Sequence, residues 1–200
     1  MKIVLATNNP DKVREVKEIL SELGIEVLTL KDLAIEIEIE EDQNTFEGNA
    51  RKKAHTIFEL TKLPTIADDS GLMVEQLNGA PGVFSSRYAG EEHNYEKNNQ
   101  KLLEELKDKP KPHRATFICV INYKTETEDE IFTGIVEGEI VDSSRGTNGF
   151  GYDPLFKPDG FNVTYAELPP EIKNKISHRY KALLKFRDYL FEKIKREDIH

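Results

Sequence analysis

The sequence predicts an α/β fold, and three observations carry that prediction. Short apolar runs of strand length recur along the chain, segments with apolar residues at helical spacing fall between them, and no repeat, low-complexity block or Gly/Ser linker separates the two kinds. A chain of 200 residues fits one large domain and buries about 70% of its unfolded surface. The expectation is one compact unit over residues 1–200, with room for two lobes.

The elements follow in order. Ile3 to Ala6 reads as a buried strand. Thr7, Asn8, Asn9 and Pro10 form a loop into a helix, with Asn9 as N-cap and Pro10 at the first helical position. That helix runs from Pro10 to Leu23, with Val13, Val16, Leu20 and Leu23 on one face and Gly24 as its stop. Val27 to Leu30 is the next strand. Ile35, Ile37 and Ile39 alternate with Glu36, Glu38 and Glu40, the period-two pattern of a half-exposed strand. A second helix spans Thr45 to Thr61, burying Phe46, Ala50, Ala54 and Ile57. Thr65 to Ala67 is a short strand ending at Asp68 and Asp69, and Leu72 to Val74 a further one before the turn-rich Asn78 to Gly82. Tyr95 to Leu106 is a helix with Leu102, Leu103 and Leu106 inward, closed off by Pro110 and Pro112. Thr116 to Tyr123 and Ile131 to Val141 are strands flanking an acidic segment, Glu126 to Glu130, which reads as a solvated hairpin tip rather than a binding feature. Ser144 to Gly151 is glycine-rich loop. The last helix, capped by Ser177, runs to about Lys195 with Leu183, Phe186, Leu190 and Ile194 inward.

Composition narrows the function classes. Thirty-seven acids against 28 bases give a net charge of −9, which repels polyphosphate backbones and argues against a nucleic-acid partner. No apolar run approaches the about 20 residues of a membrane span, and the run after Lys2 is far shorter than a signal-peptide core. Cys119 is the only cysteine, so an intrachain disulfide and a cysteine-built zinc site are excluded. These readings together place the protein in the cytoplasm.

Four constellations can carry chemistry. The first is Ala67-Asp68-Asp69-Ser70-Gly71: adjacent carboxylates after an apolar run are costly unless they bind a cation or reach water, although a plain Asp/Gly turn has the same composition. Glu40, Glu41 and Asp42 can add a third carboxylate, a hard oxygen set suited to Mg²⁺, or simply end a solvated strand. The second is Thr7, Asn8, Asn9 and Lys12 at a helix start, which offers an anion hydroxyl, amide, backbone N–H and ammonium donors, or else caps the helix. Lys53 can reach the same anion or lie solvated. The third is Gly146 to Pro154, whose glycines let a planar ligand approach the backbone while Phe150 stacks on it and Asp153 hydrogen-bonds its edge; the alternative is a tight turn buried by its aromatics. The fourth gathers Lys173, Ser177, His178 and Arg179, donors able to read the carbonyl oxygens of a base. P-loop and dinucleotide-binding fingerprints and a serine-hydrolase elbow are absent.

These constellations, within LATNNPDKVREVKEIL, TFEGNARKKA, ADDSGLMVEQLNGAPGVFSSRYAG, RGTNGFGYDPLF and ISHRYKAL, resemble the inosine triphosphate pyrophosphatase family over nearly the whole chain. The resemblance implies an elongated two-lobed α/β fold, with a long twisted mixed sheet flanked by helices and a central cleft. It implies a homodimer that uses Mg²⁺ to split ITP, dITP or XTP into monophosphate and pyrophosphate. It also implies residue roles. Thr7, Asn8, Asn9, Pro10, Asp11 and Lys12 correspond to the triphosphate loop, Glu41 and Asp69 to the metal carboxylates, and Asp69 to the general base, with Asp68 beside it in the catalytic pair as a supporting or alternate metal ligand. Lys53 corresponds to a phosphate contact, Ser70 to a substrate contact, Phe150, Gly151, Tyr152 and Asp153 to the base-binding loop, and Lys173, His178 and Arg179 to the readers of the purine edge. Two positions depart from the family pattern: Asn148 replaces a common glycine, and Asn8, Pro10 and Asp11 replace a loop that more often contains one. The rival expectations are a pyrophosphatase for modified pyrimidine nucleotides and a non-catalytic nucleotide sensor.

Overall fold

A computed structural model describes residues 1–197, without the side chains of Asp11 and Glu197. Strand β1 (Lys2–Leu5) buries Ile3, Val4 and Leu5, and helix α1 (Pro10–Ser21) turns Val16 and Leu20 inward as their spacing predicts. Strand β2 (Glu26–Thr29) returns parallel to β1, with Ile3 opposite Val27 and Leu5 opposite Thr29. Helix α2 (Phe46–Thr61) begins where Thr45, in extended conformation, accepts a hydrogen bond from the Gly48 N–H at 2.9 Å. It ends at Lys62, which adopts a left-handed conformation and donates its N–H to the Phe58 carbonyl.

The remaining elements are β3 (Thr65–Val74), α3 (Tyr95–Leu106), β4 (Arg114–Lys124), β5 (Asp129–Ile140), β6 (Phe156–Pro158), α4 (Pro170–Ile176) and α5 (His178–Glu197). The strands form one six-stranded sheet in the order β2-β1-β3-β4-β5-β6. It is mixed: β1 pairs in parallel with β2 and β3, and β5 pairs antiparallel with β6. The α/β class is therefore as expected.

Three elements differ from expectation. The two short strands around the Asp pair are one ten-residue strand, β3, so Asp68 and Asp69 lie inside a strand rather than at its end. Ile35, Ile37 and Ile39 alternate in burial with their glutamates, yet residues 35–40 join no ladder; the isoleucines pack on the Val4, Ala54 and Ala67 cluster instead. The acidic 126–130 segment is not simply solvated. Glu128 accepts from Tyr189 at 2.5 Å and pairs with Lys193, and Asp129, the first residue of β5, takes Arg51, His55 and Asn122. Helix α4 and strand β6 carry too few residues for a periodicity to reveal.

The chain divides into two compact units. The first comprises Met1–Asp69, Cys119–Gly134 and the C-terminal part from Tyr180, with its core built from Ile3, Leu5, Leu20, Ile121, Tyr123, Leu183, Phe186 and their neighbours. The second comprises Ser70–Ile118 and Ile135–Arg179, around Leu72, Leu102, Phe117, Leu155, Phe156 and Tyr165. The boundaries fall within β3, β4, β5 and α5. Among the described residues no helix is long and apolar enough to cross a membrane.

Candidate active site

In the first unit the loop after β1 is drawn as its sequence predicts. Asn9 Oδ1 accepts from the Lys12 N–H at 3.3 Å, and Thr7 Oγ1 accepts from the Asn9 N–H at 3.2 Å. This caps α1 and leaves Asn8, Asn9 and Pro10 exposed at its positive end. The Asp11 side chain lies outside the described residues. Lys12 reaches across to β3, where its Nζ lies 3.0 and 2.8 Å from the two Asp68 oxygens. Cys119 Sγ, fully buried on β4, stands 4.0 Å from Asp68 Oδ2.

Asp69 points into a second group from α2 and the segment before it. Asn49 Nδ2 donates to Asp69 Oδ2 at 2.9 Å, and the Lys53 ammonium binds Glu41. Burial pushes the Asp69 carboxyl up to about 6, with the Lys53 charge opposing that rise and the Glu41 charge adding to it. Burial works against the Lys53 ammonium, but Asp68, Asp69 and Glu41 outweigh it and hold the group above its ordinary value. The cluster thus brings Lys12, Glu41, Lys53, Asp68 and Asp69 together. Asp42 does not join it and pairs with Lys52 at 2.8 Å, while Glu40 is exposed. Among the described residues no group of three or more His, Cys, Asp or Glu side chains is assembled as a metal cage; Asp68 pairs with Lys12 and Glu41 with Lys53.

In the second unit the glycine-rich loop forms a tight, tied turn. Gly146 and Gly149 both have φ near +80°, and a Cβ would fall 2.3 Å from the Ala166 backbone at the first and 2.0 Å from Asp153 Oδ2 at the second. Asn148, at the departure position, donates its N–H to Ala166 O and its Nδ2 to Leu168 O, both at 3.0 Å. Phe150 is 41% exposed, with its ring under the Lys173 ammonium at 4.9 Å. Asp153 does not present its carboxylate as expected. It is 3% exposed, and its Oδ2 accepts from the Phe150 N–H at 2.9 Å and from Lys173 Nζ at 2.7 Å. It therefore shapes the loop and aims Lys173, because a buried charge is tolerable only with such donors. Tyr152 is likewise buried and donates its hydroxyl to Ser85 O at 2.8 Å, which makes it an anchor.

His178 and Arg179 open α5. The His178 ring stacks on Phe117 at 4.8 Å with 5° between planes, and Arg179 is buried. Ser70 follows Asp69 directly in β3 as the first residue of the second unit. Sequence reasoning missed Asn49, Gln43 and the Phe117 backing of His178. For Asn49 a signal existed: it is a polar residue within the apolar stripe of α2, next to Ala50 and three after Phe46.

A mixed α/β sheet, an acid–lysine cluster at a helix start and a glycine-rich aromatic loop beside a lysine define the type of protein. The chain belongs to the Ham1 family, whose profile it matches over residues 3–189. A Clostridium tetani protein named dITP/XTP pyrophosphatase is 49% identical over 192 residues, covering 94% of this chain and 95% of that one. A dITP/XTP pyrophosphatase of Caldanaerobacter subterraneus is 45% identical, covering 97% and 98%. Among solved structures, a HAM1 protein from Coxiella burnetii superposes with a TM-score of 0.92 at 42% identity, covering 96% of this chain and 99% of that one. The Staphylococcus aureus Ham1 protein gives 0.90 at 40%, covering 96% and 100%.

Proposed function

We propose that the chain is a nucleoside-triphosphate pyrophosphatase that hydrolyses ITP, dITP and XTP to the monophosphate and pyrophosphate with Mg²⁺. It works as a homodimer on the cytoplasmic nucleotide pool, with neither nucleic acid nor membrane as partner. Residues 1–200 act as a single catalytic domain. The names of its relatives support the substrate class, and one observation carries the chemistry: Asp68, Asp69 and Glu41 gather with Lys12 and Lys53 beside the start of α1.

In this reading the donors of Thr7, Asn8 and Asn9, with the Asp11 N–H that follows Pro10 at the start of α1, hold phosphate oxygens. Lys12 and Lys53 exchange their carboxylate partners for the triphosphate and spread its charge. Glu41 and Asp69 are the carboxylates that would hold Mg²⁺. The donor set fits a hard dication, since buried acids that repel one another and lean on lysines are relieved by one. When bound, that ion neutralises the triphosphate and orients it. Asp69 takes the proton of a water attacking the α-phosphorus; the bond to the bridging oxygen breaks and pyrophosphate leaves. Asp68 holds Lys12 in reach.

The second unit reads the base. Phe150 and Gly151 offer a stacking face and an open backbone approach, and Ser70 a hydroxyl contact. Tyr152 and Asp153 hold that loop in shape. Donors of Lys173, His178 and Arg179 suit the six-position carbonyl of hypoxanthine and xanthine, whereas adenine turns an amino group toward them. Guanine shares the carbonyl, so it is set apart at its two-position. The test is pyrophosphate release from ITP, XTP, dGTP and ATP, each with Mg²⁺ and with EDTA, at mildly alkaline pH. Rapid Mg²⁺-dependent release from ITP and XTP is expected; equal rates on all four would discard the purine-edge roles, and no release would discard the enzyme.

A further inference from the structure

We infer that Asn49 is the positioning residue of Asp69, fixing the direction of that carboxylate and tying it to the segment that carries Glu41. The inference rests on the proposed reaction. Asn49 is 0% exposed, and both ends of its amide are engaged. Its Oδ1 accepts from the Gln43 N–H at 3.0 Å, and its Nδ2 donates to Asp69 Oδ2 at 2.9 Å. The opposed donor and acceptor leave a single amide orientation that serves both partners.

The local backbone is shaped for this contact. Thr45 caps α2 and starts the helix so that its second turn faces β3. A Cβ on Gly48 would lie 2.9 Å from Gln43 Cβ, so the glycine lets Gln43 close onto the helix and present its N–H to Asn49. The acid cluster and the segment before α2 are thus joined through one buried side chain, two residues after Glu41 at one end and at Asp69 at the other. A carboxylate that accepts a proton in a reaction needs its lone pairs aimed, and a misplacement of about 1 Å costs on the order of 100-fold in rate. Asn49 claims one Asp69 oxygen from a rigid helix and so fixes where the other points.

The test compares Asn49→Ala, Asn49→Asp and Asn122→Ala with the wild type in kcat, KM and melting temperature on ITP. Asn122 is also fully buried in the first unit, where it holds Asp129 Oδ1 at 2.7 Å and the Glu130 carbonyl at 3.1 Å, so its loss reports a purely structural defect. Asn49→Asp keeps an acceptor for Gln43 but turns a second carboxylate toward Asp69 in place of the donor, whereas Asn49→Ala removes the donor without adding charge. The expected result is a kcat about 10- to 100-fold lower in both Asn49 variants with KM within about threefold, and Asn122→Ala destabilised at near-normal kcat. Folded Asn49→Asp with wild-type kcat would overturn the inference, as would equal kcat losses in Asn49→Ala and Asn122→Ala. A wild-type chain that releases no pyrophosphate from ITP would instead overturn the proposed function itself.

Discussion

Asp69 carries two opposed demands. Its carboxylate is 6% exposed and sits in the field of Glu41, so its charge costs folding free energy that Asn49 and Lys53 return only in part. Asp69→Asn removes the charge while keeping an oxygen for the Asn49 amide. It is expected to lower kcat on ITP by about 10²- to 10⁴-fold, the range for loss of a general base, with the melting temperature in EDTA unchanged or higher. A variant that melts well below the wild type would show Asp69 to be structural. At this scale the sequence was informative for the charged residues and silent on those that aim them. Asp68 and Asp69 announce themselves because adjacent charges after an apolar run are costly, whereas Lys12 and Lys53 read equally as solvated lysines on helices. Whether Asp153 faces a ligand or its own loop depends on a hydrogen bond from Phe150 that no spacing encodes.

Secondary elements were legible where a period runs long enough. The α3 bounds, Tyr95–Leu106, follow from their leucine stripe, and α2 from its alanines and Thr45 cap. The break expected at Asp68 and Asp69 does not exist, because Lys12 and Asn49 satisfy those acids inside the strand from outside it. The same physics governs Asp129 at the start of β5. Burial raises its carboxyl, but Asn122, His55 and Arg51 outweigh burial and hold it below the ordinary aspartate value. A depressed acid stabilises the fold fully above the unfolded-state value near 3.9 and loses that contribution as pH falls through its folded value. Asp129→Asn is therefore expected to lose about 1 kcal/mol at pH 7, a modest figure because the carboxylate is 33% exposed. Melting curves from pH 7 to pH 3 should show the variant and wild type converging in acid; a constant gap would mean that packing rather than charge ties β5 to α2.

For the whole molecule, the even composition foretold one compact unit with room for two lobes, and the chain divides into two units that share the strands β3, β4 and β5. Leu72, Leu102, Phe156 and Tyr165 cluster in the second unit, while Ile3, Leu20, Tyr123 and Phe186 cluster in the first. Sequence could not separate them, because apolar content is even along the chain and each unit is assembled from discontinuous stretches. The unit boundaries after Asp69, Ile118 and Gly134 all cut through strands, namely β3, β4 and β5. A strand whose one half unfolds forfeits ladder bonds at the break and leaves buried backbone groups unpaired, which is costly three times over. Unfolding is thus expected to be one cooperative transition despite the two cores. Leu102, fully buried in the second unit, gives the probe. Leu102→Ala costs about 2 to 5 kcal/mol. At this chain length each kcal/mol moves the midpoint by about 2 to 4 °C, so the single calorimetric peak should shift down by roughly 4 to 20 °C without splitting. If instead only part of the heat moves and a second peak stays at the wild-type temperature, the units melt independently and the shared strands do not couple them.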